Sequence, residues 1–234
     1  MVRAYLYLTI FVPLTFLFSF SAGVCALFDR SGLLYDLHAR LWARMALGLN
    51  HTGVSLCGAG NIPAGPCIFM SNHQSNFDIL ALIAILPRRI YWIAKKELFE
   101  IPVFGTSMRR AGYIPLDRSN GRNAFKSMKE AAAIICQGKS VVMFPEGTRS
   151  TDGKLLPFKR GGFVLAAEAG VPVVPVTING SGTVNPGGRI RLYSGMISLT
   201  LHPPLMIPEG LKKGDAQEWL ERSVHAAISS RLEV

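Results

Sequence analysis

Met70 to Ile83 reads MSNHQSNFDILALI, which sets His73, Ser75 and Asp78 directly ahead of an apolar helical pattern. Imidazole changes charge near neutral pH, and a carboxylate that accepts from one ring nitrogen leaves the other free to act as a base. In a continuous helix, five residues advance the chain by about 140° beyond one full turn, so His73 and Asp78 would face apart. They meet only if His73 occupies a turn between a strand and a helix, with the chain folding back onto Asp78. Open α/β sheets collect their ligands at such strand ends. The pair would then act as a Ser-His-Asp triad whose serine is replaced by a substrate hydroxyl. The alternative on these residues alone is structural: Asn72, Ser75 or Asp78 caps the following helix.

Two further polar clusters follow strand-like runs. GYIPLDRSNGR ends one run with Asp117 and Arg118, and FPEGTRS ends another with Glu146, Gly147, Thr148 and Arg149. Arginine presents a planar fork suited to phosphate oxygens. Lys95 or Lys96 in AKKELF adds a further cation. Any one of these taken singly reads better as a solvated surface charge. Together they place a base, two arginines and a glycine turn on one rim.

Several other chemistries lack their motifs. AIICQGKS resembles a phosphate-binding loop, but Ala133 stands where the first glycine is required, and the segment precedes a strand. No G-x-S-x-G elbow surrounds Ser75, although a hydrolase using Ser75 and His73 stays open. No H-E-x-x-H or cysteine-histidine cluster suggests a metal. The formal charge of +10 has no basic helix, zinc-finger spacing or aromatic RNA motif beside it, so nucleic acid is not the expected partner. Anionic lipid and phosphorylated substrates account for it better. Cys25, Cys57, Cys67 and Cys136 stand singly in apolar surroundings and read as buried free thiols.

The elements that must position these residues alternate. Strands are expected at 66–71, 90–95, 112–116, 140–144 and 173–178, with later ones near 189–193 and 196–202. Helices are expected over Phe77–Leu86, Leu98–Arg109, Arg122–Gln137 and Gly161–Ala169, with Gly138 and Gly170 as C-terminal caps. Asp215 and Glu218 have capping-box spacing ahead of a closing helix. The pattern predicts an α/β fold: a mixed, largely parallel central sheet flanked by helices, with antiparallel additions near the end.

Ala4 to Phe28 carries no charge and exceeds the roughly 20 residues that cross a hydrocarbon core. A cleaved signal is the competing reading, but the apolar run is too long and lacks a convincing cleavage site. Val24 also weakens a lipoprotein reading of Cys25. Arg30, Arg40 and Arg44 follow the run while Arg3 alone precedes it, which predicts a cytoplasmic face for the remainder. Pro13 would let the segment lie in one leaflet instead of spanning. Leu33 to Leu49 puts Leu34, Leu37, Leu41 and Met45 on one helical face, with Trp42 and Tyr35 suited to an interface, and reads equally as an interfacial or a core helix. Residues 1–50 are thus expected to be membrane-associated helices and 51–234 a catalytic domain.

NHQSNFD, GYIPLDR, FPEGTRS and VPVVPV, in that order from about Ser71 to Val176 with KKELF between the first two, resemble the four motifs of the glycerophospholipid acyltransferase family. The resemblance implies the glycerolipid acyltransferase fold, with His73 as general base and Asp78 as its orienting partner. It implies acyl transfer from acyl-CoA or acyl carrier protein, as co-substrate and with no cofactor, to the sn-2 hydroxyl of lysophosphatidic acid, giving phosphatidic acid. Arg118 would hold the acceptor phosphate, with Arg149 and Lys96 as helpers. Glu146, Gly147 and Thr148 would shape the acceptor site, and backbone amides near His73 would serve a developing oxyanion. The same framework serves other lysolipids, including lyso-ornithine lipids. A non-catalytic membrane adaptor using the anchor and the basic rim is the remaining alternative.

Overall fold

The computed structural model describes residues 2–29, 31–117, 119–186 and 190–233. Seven strands form one sheet: β1 (Thr52–Cys57), β2 (Ile68–Ser71), β3 (Tyr91–Lys95), β4 (Ile114–Leu116), β5 (Val141–Met143), β6 (Val173–Asn179) and β7 (Gly195–Leu201). Their order is β1-β7-β6-β2-β5-β3-β4. All neighbours are parallel except β6 and β7, as the expected mixed sheet requires. The central strands IFMS, VVM and VVPVTIN are buried along their whole length, which is what helices on both faces of a parallel sheet demand. At the edge, β4 exposes Pro115, whose missing N–H costs no ladder bond there.

Eight helices surround the sheet among the described residues: α1 (Val2–Phe28), α2 (Leu33–Leu49), α3 (Phe77–Ile85), α4 (Phe104–Arg110), α5 (Gly121–Cys136), α6 (Gly161–Ala169), α7 (Ser181–Val184) and α8 (Lys213–Ser229). One core joins α2 and α3 to Phe69, Val142, Val174 and Ile178 on one sheet face. The other joins α5, α6 and α8 to Ile68, Met70, Val141 and Val173 on the opposite face. Gly138 and Gly170 take left-handed φ values of 90° and 61° just past α5 and α6, the conformation a C-terminal glycine supplies.

Several elements differ from expectation. β1 was not expected; its TGVSLC pairs with β7, buried at Thr52 and exposed at Ser55 and Cys57. The helix expected over Leu98–Arg109 is interrupted at Pro102: a 3-10 turn covers Lys96–Glu100 and α4 starts at Phe104, because proline holds the residue before it out of helical geometry. Of the strand expected at 189–193, Arg189 lies outside the described residues and 190–193 are not extended ladder. The closing helix begins at Lys213 with no side-chain cap, so Asp215 sits within its first turn. Of the cysteines only Cys67 is buried, while Cys57 and Cys136 are exposed.

α1 is 27 residues long, about 40 Å at 1.5 Å per residue, and is the one described helix long and apolar enough to cross a membrane. In α2 the stripe of Leu34, Leu37, Leu41 and Met45 faces outward, while Tyr35, Ala43, Ala46 and Leu47 are buried. The interfacial reading of this helix is therefore favoured over the core one. Tyr35 and Trp42 do not sit at an outer face: Trp42 donates to Thr15 Oγ1 at 3.0 Å between α1 and α2. Arg40 is bonded to Asp36 and to the Leu86 and Arg88 carbonyls, and Arg30 lies outside the described residues.

Candidate active site

His73 follows β2 by two residues and precedes α3 by four. β2 lies between β5 and β6, so the turn opens at the C-terminal ends of the central strands. Asn72 anchors it: its side-chain amide donates to Ile178 O and accepts from Ile178 N, both at 2.8 Å. Beyond Asn72 the chain turns back, and His73 Nδ1 lies 2.7 Å from Asp78 Oδ2. The same oxygen accepts from the Gln74 and Ser75 amides at 2.8 Å each. Asp78 is fully buried, and as an acceptor it requires the proton on Nδ1, which leaves Nε2 of the neutral ring with a lone pair. The expected pairing is present, and Asp78 both orients the ring and shapes the turn.

Ser75 has a capping role. Its Oγ accepts from Phe77 N at 3.2 Å and lies 3.4 Å from Asn185 Oδ1, and it is completely buried. This removes support for a hydrolase with Ser75 as nucleophile.

Glu146 lies behind the turn. One carboxylate oxygen accepts from His73 N at 2.7 Å and the other from Leu156 N at 2.9 Å. Burial pushes its pKa up to about 7; those two amide bonds oppose the rise, and the nearby Asp78 charge adds to it. With both oxygens occupied, Glu146 braces the turn from within the protein. Ser150 N donates to His73 O at 2.8 Å, so the FPEGTRS segment grips the base from two sides. The amides of His73, Gln74, Ser75, Phe77 and Asp78 all have partners, so none of these five is free for the expected oxyanion role.

Gly147 takes φ 70°, and a Cβ there would lie 2.9 Å from Lys159 Cδ; glycine serves both the left-handed turn and the lysine packed across it. Thr148 and Arg149 are exposed. Arg149 borders a groove of about 630 Å³, lined also by Asn76, Phe77, Leu80 and the α1 residues Tyr7 and Phe11. Lys96 is 56% exposed and reaches Asp117 Oδ2 at 3.4 Å. Asp117 is held below the usual carboxylate range by hydrogen bonds from Ser119 and then by Lys96. Arg118 lies outside the described residues.

The sequence reading passed over Phe144. Its ring stacks on His73 with centroids 3.9 Å apart and planes at 10°, and Trp92 tilts against it from 5.9 Å. Its signal was its place as first residue of FPEGTRS. The described residues contain no group of three or more His, Cys, Asp or Glu fit to hold a metal ion.

The acyltransferase family model matches residues 54–179, a span that holds His73, Asp78, Phe144, Glu146, Gly147 and Arg149. The chain belongs to the acyltransferase family. Among its relatives are a chloroplastic 1-acyl-sn-glycerol-3-phosphate acyltransferase of Brassica napus, 38% identical over 76% of this chain and 53% of the relative, and the alpha form from Homo sapiens, 36% identical over 74% and 61%. The chain thus spans about half to three fifths of these relatives. The crystal structure of the 1-acyl-sn-glycerophosphate acyltransferase PlsC from Thermotoga maritima superposes with a TM-score of 0.79 at 27% identity, covering 98% of this chain and 97% of that one. Shared acyltransferase architecture therefore extends through the N-terminal helices as well as the sheet.

Proposed function

We propose that the protein transfers a fatty acyl group from a thioester donor, acyl-CoA or acyl carrier protein, to the sn-2 hydroxyl of 1-acyl-sn-glycerol 3-phosphate, yielding phosphatidic acid. The observation that carries this reading is the 2.7 Å contact between His73 Nδ1 and buried Asp78. His73 Nε2 takes the acceptor hydroxyl proton as its oxygen attacks the thioester carbonyl. Asp78 stabilises the imidazolium, which returns the proton to the departing thiol. General-base assistance of this kind contributes about 10² to 10⁴ in rate. The names of the relatives support lysophosphatidic acid as acceptor.

Arg118 is assigned to the acceptor phosphate, with Arg149 and Lys96 in support. Arg149 borders the groove, whereas Lys96 must leave or share Asp117. Glu146 and Gly147 act through the shape of the turn, and Thr148 through the exposed rim. Residues 1–50 hold the protein to the bilayer, where acceptor and product reside, and residues 51–234 carry the chemistry on the cytoplasmic face.

The test is an acceptor panel with purified full-length protein, offering acyl-CoA and acyl carrier protein thioester in turn with lysophosphatidic acid, lysophosphatidylcholine, a lyso-ornithine lipid and glycerol 3-phosphate. Phosphatidic acid should form fastest. Faster acylation of the lyso-ornithine lipid would overturn the phosphate-bearing acceptor, and fatty acid release without acceptor would overturn transfer itself.

A further inference from the structure

The link between β3 and α4 exposes what a soluble fold would bury. After the 3-10 turn Lys96–Glu100 come Ile101, Pro102 and Val103, all exposed. Val103 has φ 64° and ψ −59°, and Phe104 N donates to Pro102 O at 2.7 Å. This is a γ-turn of the rare, strained hand, with a β-branched residue in the left-handed region it normally avoids. The turn is tightly built underneath. Gly105 N donates to Ile101 O at 2.7 Å, and a Cβ on Gly105 would lie 2.1 Å from Phe99 O, so glycine alone fits. Yet the strain secures no burial for its apex: Ile101 is 37% and Val103 39% exposed.

The location of this knob indicates what it meets. Arg110 donates to Gly23 O at 2.8 Å, and Phe104 shares a cavity with Thr15 and Phe18 of α1. The knob therefore stands beside the middle and later part of α1, where Phe16, Phe20 and Val24 are exposed. At its base are exposed Lys95, Lys96 and Arg109, together with the acids Glu97 and Glu100; Arg109 lies over the Phe99 ring at 5.9 Å. An apolar tip above a charged collar is the make-up of an element seated at a lipid interface.

We propose that Ile101, Pro102 and Val103 form a membrane-contacting knob that enters the acyl-chain boundary of a phospholipid bilayer beside α1. This rests on the placement of α1 in the bilayer and is independent of the acyl-transfer chemistry. Leu98 and Phe104 at the knob's base line the groove that reaches Asn76 and Phe77. Seating the knob holds that groove against lipid, so a lysolipid can pass from the bilayer toward His73 between the knob and α1.

The experiment places a nitroxide label at Val103→Cys in full-length protein whose Cys25, Cys57 and Cys136 are replaced by serine, reconstituted with phosphatidylcholine and phosphatidylglycerol vesicles. Labels at Phe20→Cys and Arg222→Cys serve as references on α1 and on the exposed side of α8, which packs on the opposite sheet face. Collisions with oxygen should exceed those with a water-soluble nickel chelate at positions 103 and 20, and the order should reverse at 222. A label at 103 that behaves like 222 while 20 reports lipid overturns the knob and leaves the anchor standing. Water-like behaviour at both 103 and 20 overturns the anchor and the knob together. Because a labelled cysteine at 103 alters the turn, the second variant keeps Val103 and carries the label at Ile101→Cys, where the same excess of oxygen over nickel collisions is expected; a water-like order there, with Tm unchanged, contradicts the proposal.

Discussion

Around His73, the ring and the amides of residues 73, 74 and 75 are all held by two buried carboxylates, Asp78 and Glu146. On the neighbouring strand ends, Lys96, Thr148 and Arg149 are exposed, and of these three Lys96 has a carboxylate partner at 3.4 Å. The first region is set before any substrate arrives; the second keeps side chains free to adapt. General-base catalysis depends on such fixed geometry, whereas recognition of a charged headgroup by long cationic side chains tolerates movement. Substitutions in the turn should therefore lower kcat, and substitutions on the rim should raise the acceptor KM.

Asp78→Asn should have the largest effect. An amide offers one acceptor where the ring and two N–H groups now share a charged oxygen, so the Nδ1-protonated tautomer loses its support. A loss of about 10² to 10⁴ in kcat is expected, read from thiol release at saturating acceptor. A modest loss would mean the turn does not need its carboxylate and would break the contrast.

Glu146→Gln comes next, with a loss of about tenfold in kcat, because a glutamine cannot accept from both His73 N and Leu156 N without setting N–H against N–H. Wild-type activity should fall as the pH drops through about 7, where Glu146 takes up its proton and one oxygen becomes a donor facing an amide. Without a titrating group at position 146, the acid limb of the glutamine variant should be shallower, not absent, since the base must still be unprotonated. If the limb persists unchanged, Glu146 is not the brace.

Arg149→Ala should raise the KM for lysophosphatidic acid about tenfold with kcat within about twofold, the lower range of a charge-assisted hydrogen bond because the group is exposed. An equal effect with an uncharged lysolipid would remove the phosphate contact from the account.

The smallest effect is away from the site. His202 is buried, its Nε2 lies 2.8 Å from Thr177 Oγ1, and burial first, then the Arg231 charge, lowers its pKa. The unfolded chain therefore takes up a proton at about pH 6.5 that the folded chain resists. Stability should decline as the pH falls below about 6.5, and His202→Gln should flatten that decline in Tm while leaving acyl transfer at neutral pH unchanged.

How far these features were legible varies with their physical origin. The spacing of His73 and Asp78 required a turn if the two were to meet, with helix capping as the alternative, and the turn is there. The central strands were legible because buried parallel strands are continuous apolar runs, whereas β1 was not, since only Thr52 of its six residues is buried and its sequence is mostly small or polar. The break at Pro102 carried its own signal, which the helical periodicity on either side concealed. Which face of α2 turns outward was open in the sequence because a membrane-facing stripe and a core-facing stripe have the same spacing. The engagement of five amides by Glu146, Asp78 and Ser75 was invisible, because it depends on backbone direction within the turn. Phe144 was within a quoted motif, but stacking on His73 is a tertiary contact between two strand ends.

The most direct test is acceptor-dependent phosphatidic acid formation by purified wild type and His73→Ala at equal Tm. The account predicts product and stoichiometric thiol from the wild type and at least about a hundredfold less from the variant. Activity that survives the substitution would contradict it, since His73 would then not be required to take the hydroxyl proton.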